Sequence, residues 1–218
     1  MCGRYSVVMD VDRLRAAFAP FDLRLDAGLL RENIAPTQQV LTVVAPDGRP
    51  QAEAMRWGLV PPWAKDLRGS ARMFNARLET VTERPAFRSL IPKGTRRALV
   101  VADGWYEWLS AEQRGQPKQP FRFQVDGGAP FAFAGLWTPA RIDGEWLHSV
   151  TLLTCDSSPN PVAAAIHDRM PVVLTGPQAY RAWLDSALGT EVLELCGALP
   201  AERLSASPAN PARINKVR

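Results

Sequence analysis

The chain has 218 residues, 46% of them hydrophobic, so it is long enough and apolar enough to bury one sizeable core. No apolar run approaches the roughly 20 residues that span a bilayer, and the start lacks the pattern of a secretory signal. Three cysteines without CxxC or histidine-rich spacing argue against a disulfide framework and a zinc site. We therefore expect a cytoplasmic protein with no membrane partner, and its net charge of +4 permits a polyanionic one.

The first third of the chain predicts an extended start, a short helix and a hairpin. Asp10 can cap the helix, which carries Leu14 and Phe18 on one face. An Asp-Gly pair at 47–48, between two strand-like runs, signals a hairpin turn. The predicted elements are an extended segment at 2–8, the helix after Asp10, a loop at 33–37 and strands at 40–45 and 51–57.

Prolines and glycines divide the middle of the chain. Two prolines within 58–63 predict irregular structure, because proline has no amide donor. We expect a helix after Asn75 that breaks at Pro85, and a further turn at 86–90. The strand-like runs that follow are 97–102, 105–109, 121–125, 131–137, 146–154 and 171–174.

The remaining segments complete the predicted fold. Residues 110–120 are polar and predict a surface hairpin loop, Pro177 starts an amphipathic helix, and the basic tail at 205–218 is expected to fray. Strands outnumber helices without a regular alternation of the two. This favours an α+β fold with a mostly antiparallel, barrel-like sheet flanked by helices, in one domain covering residues 1–218.

Cys2 directly follows the initiator methionine, a position where methionine-removing enzymes accept small residues. We expect the mature chain to begin at this cysteine, with a free α-amine and a thiol on adjacent carbons. Their reference pKa values, roughly 7.7–8.0 and about 8.5, leave both groups partly nucleophilic near neutral pH. Such a 1,2-aminothiol condenses with an aldehyde to an imine, which the sulfur closes into a thiazolidine. The alternative is a coincidental Met-Cys start without chemistry.

Three further polar residues lie in apolar or tightly turning segments. Asn75 either has a functional role or caps the helix expected after it. Glu107 lies among Trp105, Tyr106 and Trp108, which would desolvate the carboxylate and raise its pKa; alternatively it pairs with an arginine in an edge strand. His167 is either functional or a hydrogen-bonded core histidine.

These residues belong to five segments that occur in one order along nearly the whole chain. The segments are CGRY at 2–5, RWGLVPPW at 56–63, NARLET at 75–80, GWYEW at 104–108 and IHDRMP at 166–171. Together they resemble the SOS-response-associated peptidase (SRAP) family, whose members process abasic sites and form DNA–protein crosslinks. The loop at 154–161 looks longer and richer in Pro and Ser than the family pattern, and the tail matches it poorly.

The resemblance implies a β-barrel-like fold and covalent capture of abasic sites in single-stranded DNA, as part of the DNA damage response. The catalytic residues predicted on this basis are Cys2, Asn75, Glu107 and His167. The predicted DNA-binding residues are Gly3, Arg4, Pro36, Trp57, Trp63, Arg77 and Arg88. For Trp57 and Trp63, core packing is the alternative.

An abasic-site aldehyde is already electrophilic, so we expect neither a metal nor another cofactor. We also expect a monomer that associates with the nucleoid when bound to DNA. The leading hypothesis is a lyase-like crosslinking enzyme that senses abasic sites. One alternative is a thiol peptidase that uses Cys2 and His167, with its own Met1 as substrate. Another is a non-catalytic module that binds single strands.

Overall fold

Two sheets organise the part of the chain that the computed structural model describes, residues 2–21, 27–109 and 118–215. The strands are β1 (Arg4–Ser6), β2 (Gln39–Val44), β3 (Gln51–Trp57), β4 (Asn75–Arg77), β5 (Arg97–Ala102), β6 (Gly104–Leu109), β7 (Gln119–Val125), β8 (Phe131–Ile142), β9 (Glu145–Asp156), β10 (Arg169–Pro171), β11 (Val173–Leu174) and β12 (Leu204–Pro208). The α-helices are α1 (Val11–Ala17), α2 (Pro161–Ala164), α3 (Gly176–Leu184) and α4 (Pro211–Ile214). None of the described helices has the length and apolar character that crossing a membrane requires.

The larger sheet closes on itself. Its strand order is β10-β9-β3-β2-β5-β8-β11, and β8 also pairs with β9, so β9, β3, β2, β5 and β8 form a five-stranded barrel. The pairings are antiparallel except that β3 and β4 run parallel to β9. The predicted fold, a mostly antiparallel β-barrel with flanking helices, is confirmed.

Every residue of β5 is buried, because the barrel interior covers one face of the strand and α3 covers the other. The Trp183 side chain of α3 is fully buried, and its Nε1–H donates to the carbonyl of Ala98 at 3.0 Å. A strand buried on both faces has no polar alternation, which is why residues 97–102 form a continuous apolar run after Arg97.

The smaller sheet has the order β1-β6-β7-β12 and packs on the barrel through aromatic side chains. The Tyr5 ring of β1 meets Phe133 of β8 edge-on, with 5.6 Å between the ring centroids. The Trp105 ring of β6 meets Phe131 edge-on at 5.9 Å. These contacts hold the beginning of the chain against the barrel wall.

Asp103 fixes the chain just after β1, where the ladder to β6 has only three residue pairs. Its buried carboxylate accepts hydrogen bonds from Ser6 Oγ at 2.6 Å and from the amides of Val8 and Met9 at 2.6 and 2.9 Å. Arg122 Nη2 donates to the same group at 3.1 Å and neutralises its charge. The carboxylate therefore replaces hydrogen bonds that a three-residue edge strand cannot make with a sheet.

Most of the predicted elements are confirmed. The Asp10 side chain accepts from the amide of Arg13 at 2.9 Å and caps α1, and β2 and β3 form the predicted hairpin. The helix predicted at Pro177 is α3, with Tyr180 and Trp183 buried. The 110–120 loop falls mostly outside the described residues, although β6 and β7 pair antiparallel on either side of it.

Two predicted elements are wrong. The segment after Asn75 is not a helix, because residues 75–77 pair with β9 as a short parallel strand and a single 3-10 turn follows at Leu78–Thr80. The tail is not frayed over 205–214, because β12 pairs with β7 and α4 follows, capped by the Asn210 side chain. In both places pairing with a distant strand decides the local structure.

We expect Asp103→Asn to lower the free energy of unfolding by about 2–4 kcal/mol, because the amide group would face N–H donors and leave Arg122 without its counter-charge. Urea denaturation at neutral pH measures the loss. The matched control is Asp47→Asn in the exposed β2–β3 turn, for which we expect a change below about 0.5 kcal/mol. Equal losses in the two variants would contradict the role given to Asp103.

Candidate active site

The ladder between β1 and β6 brings the second residue of the chain beside Glu107. Arg4 pairs with Tyr106, so continuing the register by one residue sets Gly3 opposite Glu107. Cys2 is fully buried, with its Sγ 3.7 Å from the carbonyl oxygen of Arg4. The Asn75 side chain donates from Nδ2 to the carbonyl of Cys2 at 2.9 Å. Cys2 thus lies two residues before a sheet ladder, and its carbonyl is held by a side-chain amide.

Glu107 lies in an interior strand, between β1 and β7, so the alternative of an edge-strand carboxylate is wrong. It is 3% exposed, and burial raises the pKa of its carboxyl to about 7, against the opposing effect of the positive amino terminus. Strand alternation sets Trp105 on the same face as Glu107, and Tyr106 and Trp108 on the opposite face. A carboxyl with a pKa near 7 can both donate and accept a proton near neutral pH.

Burial also controls the Cys2 thiol. It raises the pKa of this thiol well above its usual value, and the nearby charge of Glu107 raises it further. The thiol and the carboxyl therefore interact electrostatically across the small sheet. At neutral pH the sulfur is protonated, which makes it a poor first nucleophile in this setting.

His167 lies between α2 and β10, and its side chain keeps 28% exposure, so it is not a core histidine. The amide N–H of Arg169 donates to its Nδ1 at 3.0 Å. Burial is the largest influence that lowers the pKa of the imidazole. The neutral ring with its proton on Nε2 fits both observations. The Asp168 carboxylate lies 2.8 Å from the same Nδ1 and would accept from it in the Nδ1–H tautomer or in the protonated ring. Because this carboxylate is 85% exposed, water competes for it, whereas the Arg169 amide is fixed at the start of β10.

The end of β9 brings the remaining segments together. Asn75 pairs with Leu152 through β4 on one side of β9, and β10, which follows His167, pairs with residues 154–156 on the other. Burial has the largest effect on the pKa of both Glu107 and His167, and the charge of Asp168 raises both values, so these groups share one electrostatic environment. The four predicted catalytic residues are thus placed around the start of the chain, and their chemical roles stay predictions.

Trp57 is not available to DNA, which corrects its prediction as a binding residue. Its ring is fully buried, and Nε1–H donates to the carbonyl of Phe74 at 2.9 Å. The ring also contacts Tyr5 edge-on, with 5.2 Å between centroids. The core-packing alternative is correct for this tryptophan, which joins β1 to the segment leading into Asn75.

Other predicted DNA contacts remain open to solvent. Trp63 is 63% exposed, and Arg77 and Arg88 are exposed as well. Gly3, Arg4 and Pro36 are partly buried, and Arg4 Nη1 donates to the carbonyl of Gly3 at 2.7 Å. Binding of DNA by these six residues stays a prediction.

The sequence reasoning missed two groups of charged residues near the site. Asp103 lies between the predicted strands at 97–102 and 105–109, and nothing in its neighbourhood in the sequence marks it as the residue that anchors β1. Glu79 and Arg169 form a bidentate ion pair between the segments of Asn75 and His167. Within the described ranges, no three side chains of His, Cys, Asp or Glu are grouped as metal ligands.

Comparisons with known proteins find similarity over nearly the whole chain. The family described as SOS response associated peptidase (SRAP) matches residues 1–217. The "Abasic site processing protein YoqW" of Bacillus subtilis is 37% identical over 191 residues, covering 85% of this chain and 80% of that protein. The "Abasic site processing protein YedK" of Escherichia coli is 31% identical and covers 97% of this chain and 93% of that protein.

A solved structure is similar as well. An X-ray structure of a Bordetella bronchiseptica protein has a TM-score of 0.80 and 29% identity, covering 96% of this chain and all of that one.

The raised pKa of Glu107 predicts a pH-dependent stability. The folded state keeps a proton on this carboxyl up to about pH 7, whereas the unfolded chain loses it near pH 4.5, so stability falls as the pH rises between these values. Glutamine has no such titration, so we expect the free energy of unfolding of Glu107→Gln, relative to that of the wild type, to rise by about 2–3 kcal/mol from pH 5 to pH 8. Urea denaturation at both pH values measures this, and a difference that is independent of pH would contradict the assignment.

Proposed function

Because the chain belongs to the SOS response associated peptidase (SRAP) family, we propose that it processes abasic sites in single-stranded DNA by covalent capture. In this proposal Met1 is removed and the new terminus at Cys2 links to the sugar. One observation carries it: Cys2 is buried and held by Asn75, beside a carboxyl whose pKa is about 7. A terminal residue fixed in this way is oriented for attack on a carbonyl.

Glu107 acts first, as a general acid. An abasic deoxyribose is mostly a closed hemiacetal, with a minor open aldehyde. A carboxyl with a pKa of about 7 can donate a proton to the ring oxygen and later take one back at neutral pH. Asn75 holds the Cys2 backbone so that the amine lies in line with the carbonyl carbon.

The amine then attacks before the sulfur does. Its lone pair forms the C–N bond, and the resulting carbinolamine loses its hydroxyl as water, with Glu107 and His167 moving the protons. The thiol adds last, with sulfur bonding to the imine carbon and its proton passing to the nitrogen. The high pKa that burial gives the thiol supports this order. The overall reaction forms a thiazolidine with loss of one water and needs no oxidant, metal or cofactor.

The DNA is held by charge and by stacking. In this proposal Arg4, Arg77 and Arg88 neutralise phosphates, so binding weakens as salt rises. Gly3 lets the backbone approach the sugar, because it has no Cβ. The exposed Trp63 ring stacks on a neighbouring base. A single-stranded abasic site needs little unstacking, since the base is already absent.

The peptidase alternative has weaker support. A thiol peptidase needs a thiolate at neutral pH, whereas burial keeps the Cys2 thiol protonated. Attack on the bond after Met1, as a single self-processing event, remains compatible with the proposal. A module that only binds single strands would need neither the hydrogen bond from Asn75 to Cys2 nor the buried carboxyl of Glu107, so these features favour a catalytic role.

Intact mass spectrometry tests the covalent step. After incubation with an abasic single-stranded oligonucleotide, we expect a species whose mass is that of protein plus DNA less one water. Cys2→Ala should abolish the stable adduct, whereas Cys196→Ala, at a half-buried cysteine in another part of the fold, should leave its yield unchanged. A retained N-terminal extension should also abolish it, since the amine becomes an amide. Adduct at wild-type yield in Cys2→Ala would reject the proposal.

Stacking by Trp63 is tested against a second exposed tryptophan. We expect Trp63→Ala to weaken noncovalent binding of intact single-stranded DNA by about 1–3 kcal/mol. Trp146, which is 70% exposed at the β8–β9 turn, supplies the control, and Trp146→Ala should change the affinity less than about twofold. Fluorescence anisotropy measures both. Equal effects of the two substitutions would remove Trp63 from the binding surface.

A further inference from the structure

An ion pair spans the end of β9 and joins the two segments that carry Asn75 and His167. Arg169 Nη1 donates to Glu79 Oε1 at 2.7 Å, and Nη2 donates to Glu79 Oε2 at 2.9 Å. Glu79 lies four residues after Asn75, and Arg169 lies two residues after His167. Two parallel hydrogen bonds between a guanidinium and a carboxylate fix both the distance and the relative orientation of the groups.

The same ion pair is anchored on β9 itself. Arg169 Nη2 also donates to the carbonyl of Thr154 at 2.7 Å, and Glu79 Oε1 accepts from the amide of Asp156 at 3.2 Å. Thr154 pairs with Arg77 of β4 and with Pro171 of β10, so it lies between the two flanking strands. The pair therefore closes a three-strand arrangement in which β4 and β10 are each very short.

Arg169 also makes the hydrogen bond that selects the form of His167. Its backbone N–H donates to Nδ1 at 3.0 Å while its side chain is held by Glu79, with only 13% of that side chain exposed. Ser157 Oγ donates to the His167 carbonyl at 2.6 Å and fixes the backbone on the other side. With Nδ1 accepting, the neutral ring has its proton on Nε2.

We propose that the Glu79–Arg169 ion pair is a positioning device that keeps His167 in the Nε2–H form and in a fixed place relative to Asn75. The proposal rests on the proposed function, in which His167 moves protons during adduct formation. Glu79 and Arg169 are positioning residues, since they act through His167 and Asn75. The other charged groups acting on the imidazole are Asp168, Lys118 and the amino terminus.

The substitution that tests this is Glu79→Gln, which keeps the shape of the side chain but removes the charge and one of the two parallel hydrogen bonds. We expect the single-turnover rate of adduct formation at saturating abasic oligonucleotide to fall about tenfold, as for a small displacement of a catalytic group. The affinity for intact single-stranded DNA should stay within about twofold, and Glu79→Asp should recover part of the rate.

The chain offers a matched control in the pair of Asp126 and Arg203 at the β12 edge of the small sheet. Arg203 donates from Nε and Nη2 to the two carboxylate oxygens of Asp126 at 3.0 and 2.5 Å, so this pair is bidentate too. Asp126→Asn should leave the rate of adduct formation unchanged. A rate for Glu79→Gln within twofold of the wild type, or equal losses in the two variants, would overturn the proposal.

The tautomer of His167 gives a measurement that needs neither DNA nor a variant at Glu79. The chain has two histidines, so 15N spectra of wild type and of His148→Gln assign both rings. At pH 8 we expect the His167 Nδ1 shift of an unprotonated, hydrogen-bonded nitrogen; a protonated Nδ1 would overturn the proposal even if Glu79→Gln fails to fold. Absence of any adduct in the wild type would instead reject the proposed function, whereas the 15N shift of His167 Nδ1 would still report its tautomer.

Discussion

The three-residue ladder between β1 and β6 holds the start of the chain against the buried carboxyl of Glu107. A ladder this short gives little stability by itself, and chain termini usually fray. Asp103 compensates by accepting three hydrogen bonds from Ser6, Val8 and Met9, directly after β1. Asn75 adds one more from the barrel side. Cys2 is thereby fully buried next to β1, and its carbonyl is held by the Asn75 side chain.

Burial shifts the pKa of each of three groups at this site in the direction that favours its neutral form. It raises the pKa of the Glu107 carboxyl to about 7, raises that of the Cys2 thiol and lowers that of the His167 imidazole. Desolvation favours the neutral form in every case. Near pH 7 the site thus contains a carboxyl that can donate or take back a proton, a neutral imidazole that carries its proton on Nε2, and a protonated thiol. The folded state bears the cost of this arrangement, because an ionised Glu107 destabilises it.

Local sequence signals predicted an element correctly wherever neighbouring residues determine its structure. The Asp-Gly pair predicted the β2–β3 hairpin, and Asp10 predicted the start of α1. Local signals failed for residues 75–80, because β4 exists only through pairing with β9, some 77 positions further along the chain. The Glu79–Arg169 pair joins residues 90 positions apart, so neither residue carries a local sign of the other. The predicted catalytic residues came from the combination of five segments, since each alone had a structural alternative.

Of the two tryptophans in the 56–63 segment, Trp57 is buried and Trp63 is exposed, and the backbone between them explains the difference. Trp57 ends β3, and its ring lies in the core between Tyr5 and Phe74. Gly58 then has a φ of +125°, and a Cβ built there would lie 2.7 Å from the carbonyl oxygen of Ser70, so only glycine fits this turn. The turn ends the strand and leads the chain outward, where Trp63 is exposed. The Trp57 ring therefore supports the backbone next to Cys2 and Asn75, while the Trp63 ring is exposed to solvent.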